Sequence, residues 1–188
     1  LDMDALESGA GYTLLAMGKM GARELNYSSD IDLIALFDET RFDPDDALEA
    51  RPRYIHVTRQ LLQLLSENTG DGYVFRTDLR LRPAPSTTAV CMPMGAAEAY
   101  YESVGRTWER AAHIKARPLV DIAAGQEYLK TLTPFVWRRH LDFAAIEDTH
   151  EMLRKIRAQK ARFTTDHLPG HDLKLGPGGI REIEFFAQ

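Results

Sequence analysis

Two aspartates stand at the head of an apolar run: in Asp30-Ile31-Asp32-Leu33-Ile34-Ala35-Leu36-Phe37 they lie two residues apart, and every position from Leu33 to Phe37 is hydrophobic. A run of that length and content reads as a β-strand, and residues two apart on a strand share a face. Two carboxylates side by side repel unless a cation lies between them, and such an oxygen-rich pair suits a hard divalent ion such as magnesium. The stretch therefore marks a candidate metal site. Upstream, Tyr12 to Met17 is a short apolar run bounded by Gly11 and Gly18, which fits a buried strand better than a helix. Gly18-Lys19 then opens a short helical turn, and Ser28-Ser29 leads into Asp30.

From Gly72 to Pro83 the sequence GYVFRTDLRLRP alternates. Arg76, Asp78, Arg80 and Arg82 fall on one side, with Phe75, Thr77, Leu79 and Leu81 on the other. This pattern predicts a strand with one charged face, which standing alone reads as solvated. Beside the Asp30/Asp32 strand it takes on another meaning: Asp78 supplies a third carboxylate, and the arginines match phosphate oxygens. Adenylyl or phosphoryl transfer uses two divalent ions to clamp the attacking and leaving oxygens, and three carboxylates suffice to hold both. Gly18 and Gly21 bracket Lys19, so the turn either brings backbone N–H groups and a lysine against phosphate or is a plain strand-to-helix connection. Ser28 or Ser29 caps a helix or contacts phosphate. Glu24 reads either as an ion-pair partner in the neighbourhood of Arg23 or as an anchor for a residue of the site, with the structural role favoured. Lys115 and Arg117 are candidates for phosphate contact, with surface charge as the alternative.

The rest of the chain predicts helices. Tyr54, Val57, Leu61, Leu64 and Leu65 fall on one helical face that ends near Asn68 and Gly70, after a loop from Asp38 to Asp46. Ala96 to Glu102 and Thr107 to Lys115 read as helical, with Trp108, Ala111 and Ala112 inward, Glu109 polar and Pro118 as the stop. Ala123 to Leu132 and Ala144 to Phe163 follow, the latter with Ile146, Leu153, Ile156 and Phe163 in one stripe. His167 to Gly179 reads as a loop or hairpin, and Ile180 to Ala187 begins another element.

Composition narrows the function classes. At 188 residues the chain has room for a real core. It starts at Leu1 and ends inside an apolar run, as expected of part of a longer protein. Acidic residues outnumber basic ones by 28 to 23, for a net charge of −5, which argues against a general nucleic-acid binder. The single cysteine, Cys91, excludes an internal disulfide framework and fits a reducing compartment. With no signal peptide and no membrane-length apolar run, the expected location is the cytoplasm. The six histidines show no metal-ligand spacing, and neither a thiol nucleophile nor a serine nucleophile elbow is recognisable.

The runs MGKMGARELNYSSDIDLI, FRTDLRLRP, GRTWERAAHIKARPL, FVWRRHLDF and KLGPGGIREIEFFAQ, spread over nearly the whole chain, closely resemble the bifunctional glutamine synthetase adenylyltransferase/adenylyl-removing enzymes. The resemblance implies an α+β, nucleotidyltransferase-type (DNA polymerase β-like) mixed sheet with flanking helices over residues 1–120. A mainly helical extension over residues 121–188 follows. Lys115-Ala116-Arg117 and Gly178 to Phe185 look like the N-terminal half of that family, which removes AMP from a tyrosine of glutamine synthetase by phosphorolysis, releasing ADP. Carried onto this chain, Asp30, Asp32 and Asp78 would bind magnesium, most simply as two ions. Gly18, Lys19 and Ser29 would line the phosphate pocket, and Arg80, Arg82, Lys115 and Arg117 would meet phosphate or AMP. Lys19 departs from the Gly-Ser pair of many members of the wider superfamily. The implied partners are glutamine synthetase and the PII signalling protein, with neither nucleic acid nor membrane. Two alternatives stay open: the forward reaction with ATP, and a non-catalytic module that senses an effector or docks PII.

Overall fold

The computed structural model describes residues 9–120 and 122–137, and beyond them residues 147, 150–151, 154–155, 158, 173–174 and 178–187. The chain divides into two compact units, residues 1–137 and 138–188. In the first unit, β1 (Tyr12–Ala16) and β2 (Ile31–Phe37) pair antiparallel, with Tyr12 opposite Phe37 and Ala16 opposite Leu33. β5 (Arg117–Val120) joins the other edge of β1, also antiparallel. β3 (Thr77–Asp78) and β4 (Cys91–Pro93) both run parallel to β2, β3 beside Ile31–Asp32 and β4 beside Ala35–Phe37. The result is a mixed sheet of five strands, with helices packed on it.

Helices cover both faces, which is why β1 and β2 read as continuous apolar runs rather than as alternating ones. Tyr12, Leu14, Leu33, Ala35 and Phe37 face α2 (Pro44–Ser66), where the Tyr54 ring stacks on Phe37 at 4.8 Å between centroids. Leu15, Met17, Ile34 and Leu36 face Ala97 and Tyr101 of α3 (Met94–Val104) and Tyr128 of α5 (Ile122–Thr131). Each such fully buried side chain contributes about 1.5–3 kcal/mol. Asp32 has the parity of Ile34 and Leu36, so it heads an apolar row; Ile31 and Leu33 beside it are buried, while Asp32 keeps partial exposure.

Several elements differ from their expected form. α2 begins at Pro44, because a proline in the first helical turn followed by Asp45 and Asp46 is a favourable start. The strand expected over Gly72 to Pro83 is only Thr77–Asp78, ended by a turn in which the Asp78 carboxylate accepts the Arg80 N–H at 2.8 Å. Pro118 lies within a strand, not merely after a helix; β5 is at the sheet edge, where proline is tolerated. Glu109 of α4 (Thr107–His113) is buried and Trp108 only partly so, since the Glu109 carboxylate accepts the Arg106 N–H at 2.8 Å and the Tyr100 hydroxyl at 3.0 Å. α5 and α6 (Thr133–Val136) belong to the first unit.

In the second unit, the described positions between 147 and 158 are helical, consistent with the helix expected there; Ile146, Leu153, Ile156 and Phe163 lie outside the described residues. The expected loop of residues 167–179 is described only at 173–174, 178 and 179, of which the first three are in turns. A helix spans Ile180–Ala187, and the Glu182 carboxylate accepts the Gly178 N–H at 3.0 Å. Among the described residues no helix is long and apolar enough to cross a membrane.

Candidate active site

Asp32 on β2 and Asp78 on β3 are register partners of neighbouring parallel strands. Parallel partners project from the same face, so the two carboxylates rise side by side although they are remote in sequence. Asp30 lies one step before β2 on that face, and the Ile31 N–H donates to the Arg76 carbonyl at 2.9 Å, which continues the pairing back to Asp30. Arg76 Nε reaches Asp30 Oδ1 at 2.5 Å, while another of its N–H groups donates to the Ser28 carbonyl. Arg80 grips Asp78 with Nε at 2.8 Å from Oδ2 and 3.0 Å from Oδ1. Those hydrogen bonds hold the Asp78 carboxyl below its ordinary value. Arg80 is held charged first by Asp78, and the fields of Asp32 and Asp30 add to it, so one guanidinium senses all three carboxylates.

Gly18 follows β1 after Met17 alone and has φ of +51°, a conformation that disfavours any side chain. A Cβ there would lie 3.1 Å from Asp32 Oδ2, so glycine is also what lets the turn close on the carboxylate. The Met17 N–H donates to the Asp32 carbonyl at 2.9 Å, tying the two strands at this point. Lys19, exposed on α1 (Gly18–Gly21), has its Nζ 3.5 Å from Ser29 Oγ, and Ser29 donates to Asn26 Oδ1 at 2.6 Å. The turn and the loop before β2 thus meet beside the aspartates.

The remaining cations have other destinations. The Arg82 guanidinium is spent on four carbonyls, those of Leu79 at 2.8 Å, Pro85 at 2.7 Å, Ala89 at 3.0 Å and Thr88 at 3.2 Å. It folds the loop over itself and leaves the charged face on which it was expected; burial lowers its pKa. Arg117 donates to the Gly21 carbonyl at 3.2 Å and the Met20 carbonyl at 3.0 Å. Lys115 Nζ lies 3.3 Å from Glu24 Oε2, so Glu24 makes an ion pair, with a lysine remote in sequence and not in the neighbourhood of Arg23.

The donor set suits a divalent cation: three hard carboxylate groups arise from adjacent backbone positions on one face of two paired strands. Among the described residues no three or more His, Cys, Asp or Glu side chains are already gathered as a cation cage, and Arg76 and Arg80 pair with Asp30 and Asp78. Arg76 was legible only as part of a charged face; its partner follows from the register, not from the sequence. Next to it a cleft of about 630 Å³ is lined by Tyr27, Ser28, Ser29, Tyr73, Phe75 and Arg76, among others. Cys91 is buried and its thiol is pushed up to about 12, away from thiolate chemistry.

Comparison with known proteins gives two family matches. The glutamate-ammonia ligase adenylyltransferase model matches residues 3–132, and the GlnD PII-uridylyltransferase model matches residues 150–188. Relatives named bifunctional glutamine synthetase adenylyltransferase/adenylyl-removing enzyme are 54% identical over 188 residues in a Bradyrhizobium species and 51% identical over 188 residues in Agrobacterium fabrum. Each alignment covers 100% of this chain and 19% of the relative, so the chain spans about a fifth of the length of the proteins it matches. In Xanthobacter autotrophicus the identity is 54% over 181 residues, 96% of this chain and 18% of the relative.

Proposed function

The chain belongs to the glutamate-ammonia ligase adenylyltransferase family, and from that membership we propose that its first unit carries a nucleotidyl-transfer site acting on glutamine synthetase. The observation that carries the reading is the Asp32–Asp78 register pair, with Asp30 beside it. We propose the direction of AMP removal. Inorganic phosphate attacks the phosphorus of the tyrosyl-AMP linkage, the bond from phosphorus to the tyrosine oxygen breaks, that oxygen takes a proton, and ADP leaves. The direction draws on Lys115-Ala116-Arg117 and on the Gly178 to Phe185 run.

Asp30, Asp32 and Asp78 would hold magnesium, which when bound neutralises charge on the transferring phosphoryl oxygens. Gly18 keeps the turn close to Asp32, and Lys19 with Ser29 presents a cation and a hydroxyl at its rim. Arg76 and Arg80 pair with carboxylates from exposed positions and can turn to an incoming phosphate. ADP, ATP and phosphate are the proposed small-molecule reactants and products, the PII signalling protein is a proposed second partner, and the proposed location is the cytoplasm.

The test is direct: the protein with adenylylated glutamine synthetase, magnesium and inorganic phosphate should release ADP. Release of AMP instead, or phosphate-independent turnover, overturns the phosphorolytic direction. Transfer of label from ATP to unmodified glutamine synthetase establishes the forward reaction in its place.

A further inference from the structure

We infer that Arg117, assisted by Lys115, is a positioning residue that holds the Gly18–Gly21 turn against Asp32 and does not itself bind substrate phosphate. The inference rests on the reading of that turn as part of a nucleotidyl-transfer site. β5 pairs with β1 so that Arg117 lies opposite Ala16, close to where the chain leaves the sheet for α1. From there one edge of the guanidinium, Nε and one terminal nitrogen, reaches the Gly21 and Met20 carbonyls at 3.2 and 3.0 Å. Carbonyls at the end of a four-residue helix have few intrahelical partners, and a planar fork is well matched to two of them. An edge engaged in that way is not available to grip an oxyanion.

Two further contacts brace the same turn. Gly21 is buried, and a Cβ on it would collide with the Lys115 carbonyl oxygen and fall 2.6 Å from that of Ala16, so α1 lies directly on the backbone of β1 and the β5 approach. The Lys115 ammonium reaches Glu24, just past α1, at 3.3 Å from a side chain that is only 26% exposed. The α1 end is therefore held at Met20, Gly21 and Glu24 by residues of one segment, Lys115 to Arg117. Its opposite end holds Gly18 with a would-be Cβ 3.1 Å from Asp32 Oδ2. A device that fixes one end of a single helical turn fixes the other, and with it the point from which Lys19 projects.

The experiment compares Arg117→Met, Arg117→Lys and Lys115→Met with the unaltered chain, in two readouts. Without ligand, amide exchange over residues 18–24 should quicken by about tenfold in Arg117→Met, less in Lys115→Met, and be partly restored in Arg117→Lys, while β1 and β2 amides keep their protection. With adenylylated glutamine synthetase, magnesium and inorganic phosphate, Arg117→Met should lower kcat by about tenfold and leave the KM for phosphate within about twofold. Unchanged exchange over 18–24 together with a raised KM for phosphate makes Arg117 a phosphate ligand and overturns the inference. Faster exchange throughout the sheet, or an unchanged kcat, overturns it as well. An unaltered chain without turnover counts against the proposed function, and the exchange pattern, which needs no substrate, still decides whether Arg117 holds the turn.

Discussion

Asp32 and Asp78 lie directly across from one another in a parallel strand pair in which β3 contributes only two residues. Like charges on one face repel, so neither carboxylate gains from the other, although the Asp78 charge is also paired with Arg80. Asp32→Asn is therefore expected to leave the melting temperature unchanged or raised, and Asp78→Asn to lower it slightly, since an asparagine amide retains an oxygen for the Arg80 N–H but loses the charge with which the exposed Arg80 pairs. Phosphorolysis should fall by more than ~100-fold in each, beyond the roughly 10–100-fold loss typical of removing a group that only orients a metal ligand. Rate and thermal melting measured on the same preparations check this. A double variant that retains the wild-type rate removes the aspartates from the chemistry.

Arg76 and Arg80 compete with any cation for Asp30 and Asp78. Both guanidinium groups are more than half exposed, so the competition is weak. Arg76→Met or Arg80→Met should tighten magnesium binding by about two- to fivefold, the range that exposed ion pairs permit. The same variants should weaken binding of inorganic phosphate, for which the arginines are the matching donors. Calorimetric titration with magnesium and then with phosphate separates the two effects. Loss of magnesium binding in either variant would show that the arginine supports the cation site and does not compete with it.

The strand from Ile31 to Phe37 was legible because both of its faces are covered, which leaves a run of apolar residues that periodicity cannot miss. Cys91–Pro93 had the same apolar character but is too short to announce itself as a strand. The Arg76 to Arg82 alternation looked like a full strand, yet its end is decided by the Asp78 side chain bonding to the backbone two residues on, a local competition that alternation does not encode. Arginine destinations were the least legible. Arg80, Arg82 and Arg117 are chemically equivalent in the sequence, but one meets a carboxylate and the other two meet carbonyls, because loop and edge-strand geometry brings those carbonyls within reach.

Arg82 illustrates what that geometry costs when it is removed. Arg82→Ala strips a partner from the carbonyls of Leu79, Pro85, Thr88 and Ala89, which then depend on water or on rearrangement. The expected destabilisation is about 2–3 kcal/mol, in keeping with one charged donor group and several partly buried acceptors. Arg82→Lys should recover little of it, since a point ammonium cannot span four acceptors as a planar fork does. Chemical denaturation measures the loss. Limited proteolysis should find new cleavage between residues 79 and 89; an unaltered digestion pattern would mean that the loop is ordered by other contacts.

His113 ties stability to pH. Its ring lies edge-on to Tyr101 at 4.6 Å between centroids, and its Nδ1–H donates to the Glu109 carbonyl at 2.8 Å, while Nε2 is buried with no hydrogen-bond partner among the described residues. Protonating Nε2 would place an N–H in that apolar surrounding, so burial depresses the folded-state pKa below the ordinary value of 6.5. Above pH 6.5 the ring is neutral in folded and unfolded chains alike, and its full contribution is present. As the pH falls below that value the unfolded chain takes up the proton first, so stability declines towards the depressed folded pKa, by at most about 1.4 kcal/mol per pH unit. The Asp78 carboxyl, also held below its ordinary value, loses its contribution only below pH 3.8, so it does not confuse the window. Thermal melting between pH 7.5 and 5.5 should therefore show a downward slope of a few degrees in the unaltered chain. In His113→Gln, which cannot titrate, the slope should be flatter whatever the absolute stability. Parallel slopes in the two proteins would assign the pH dependence to another group.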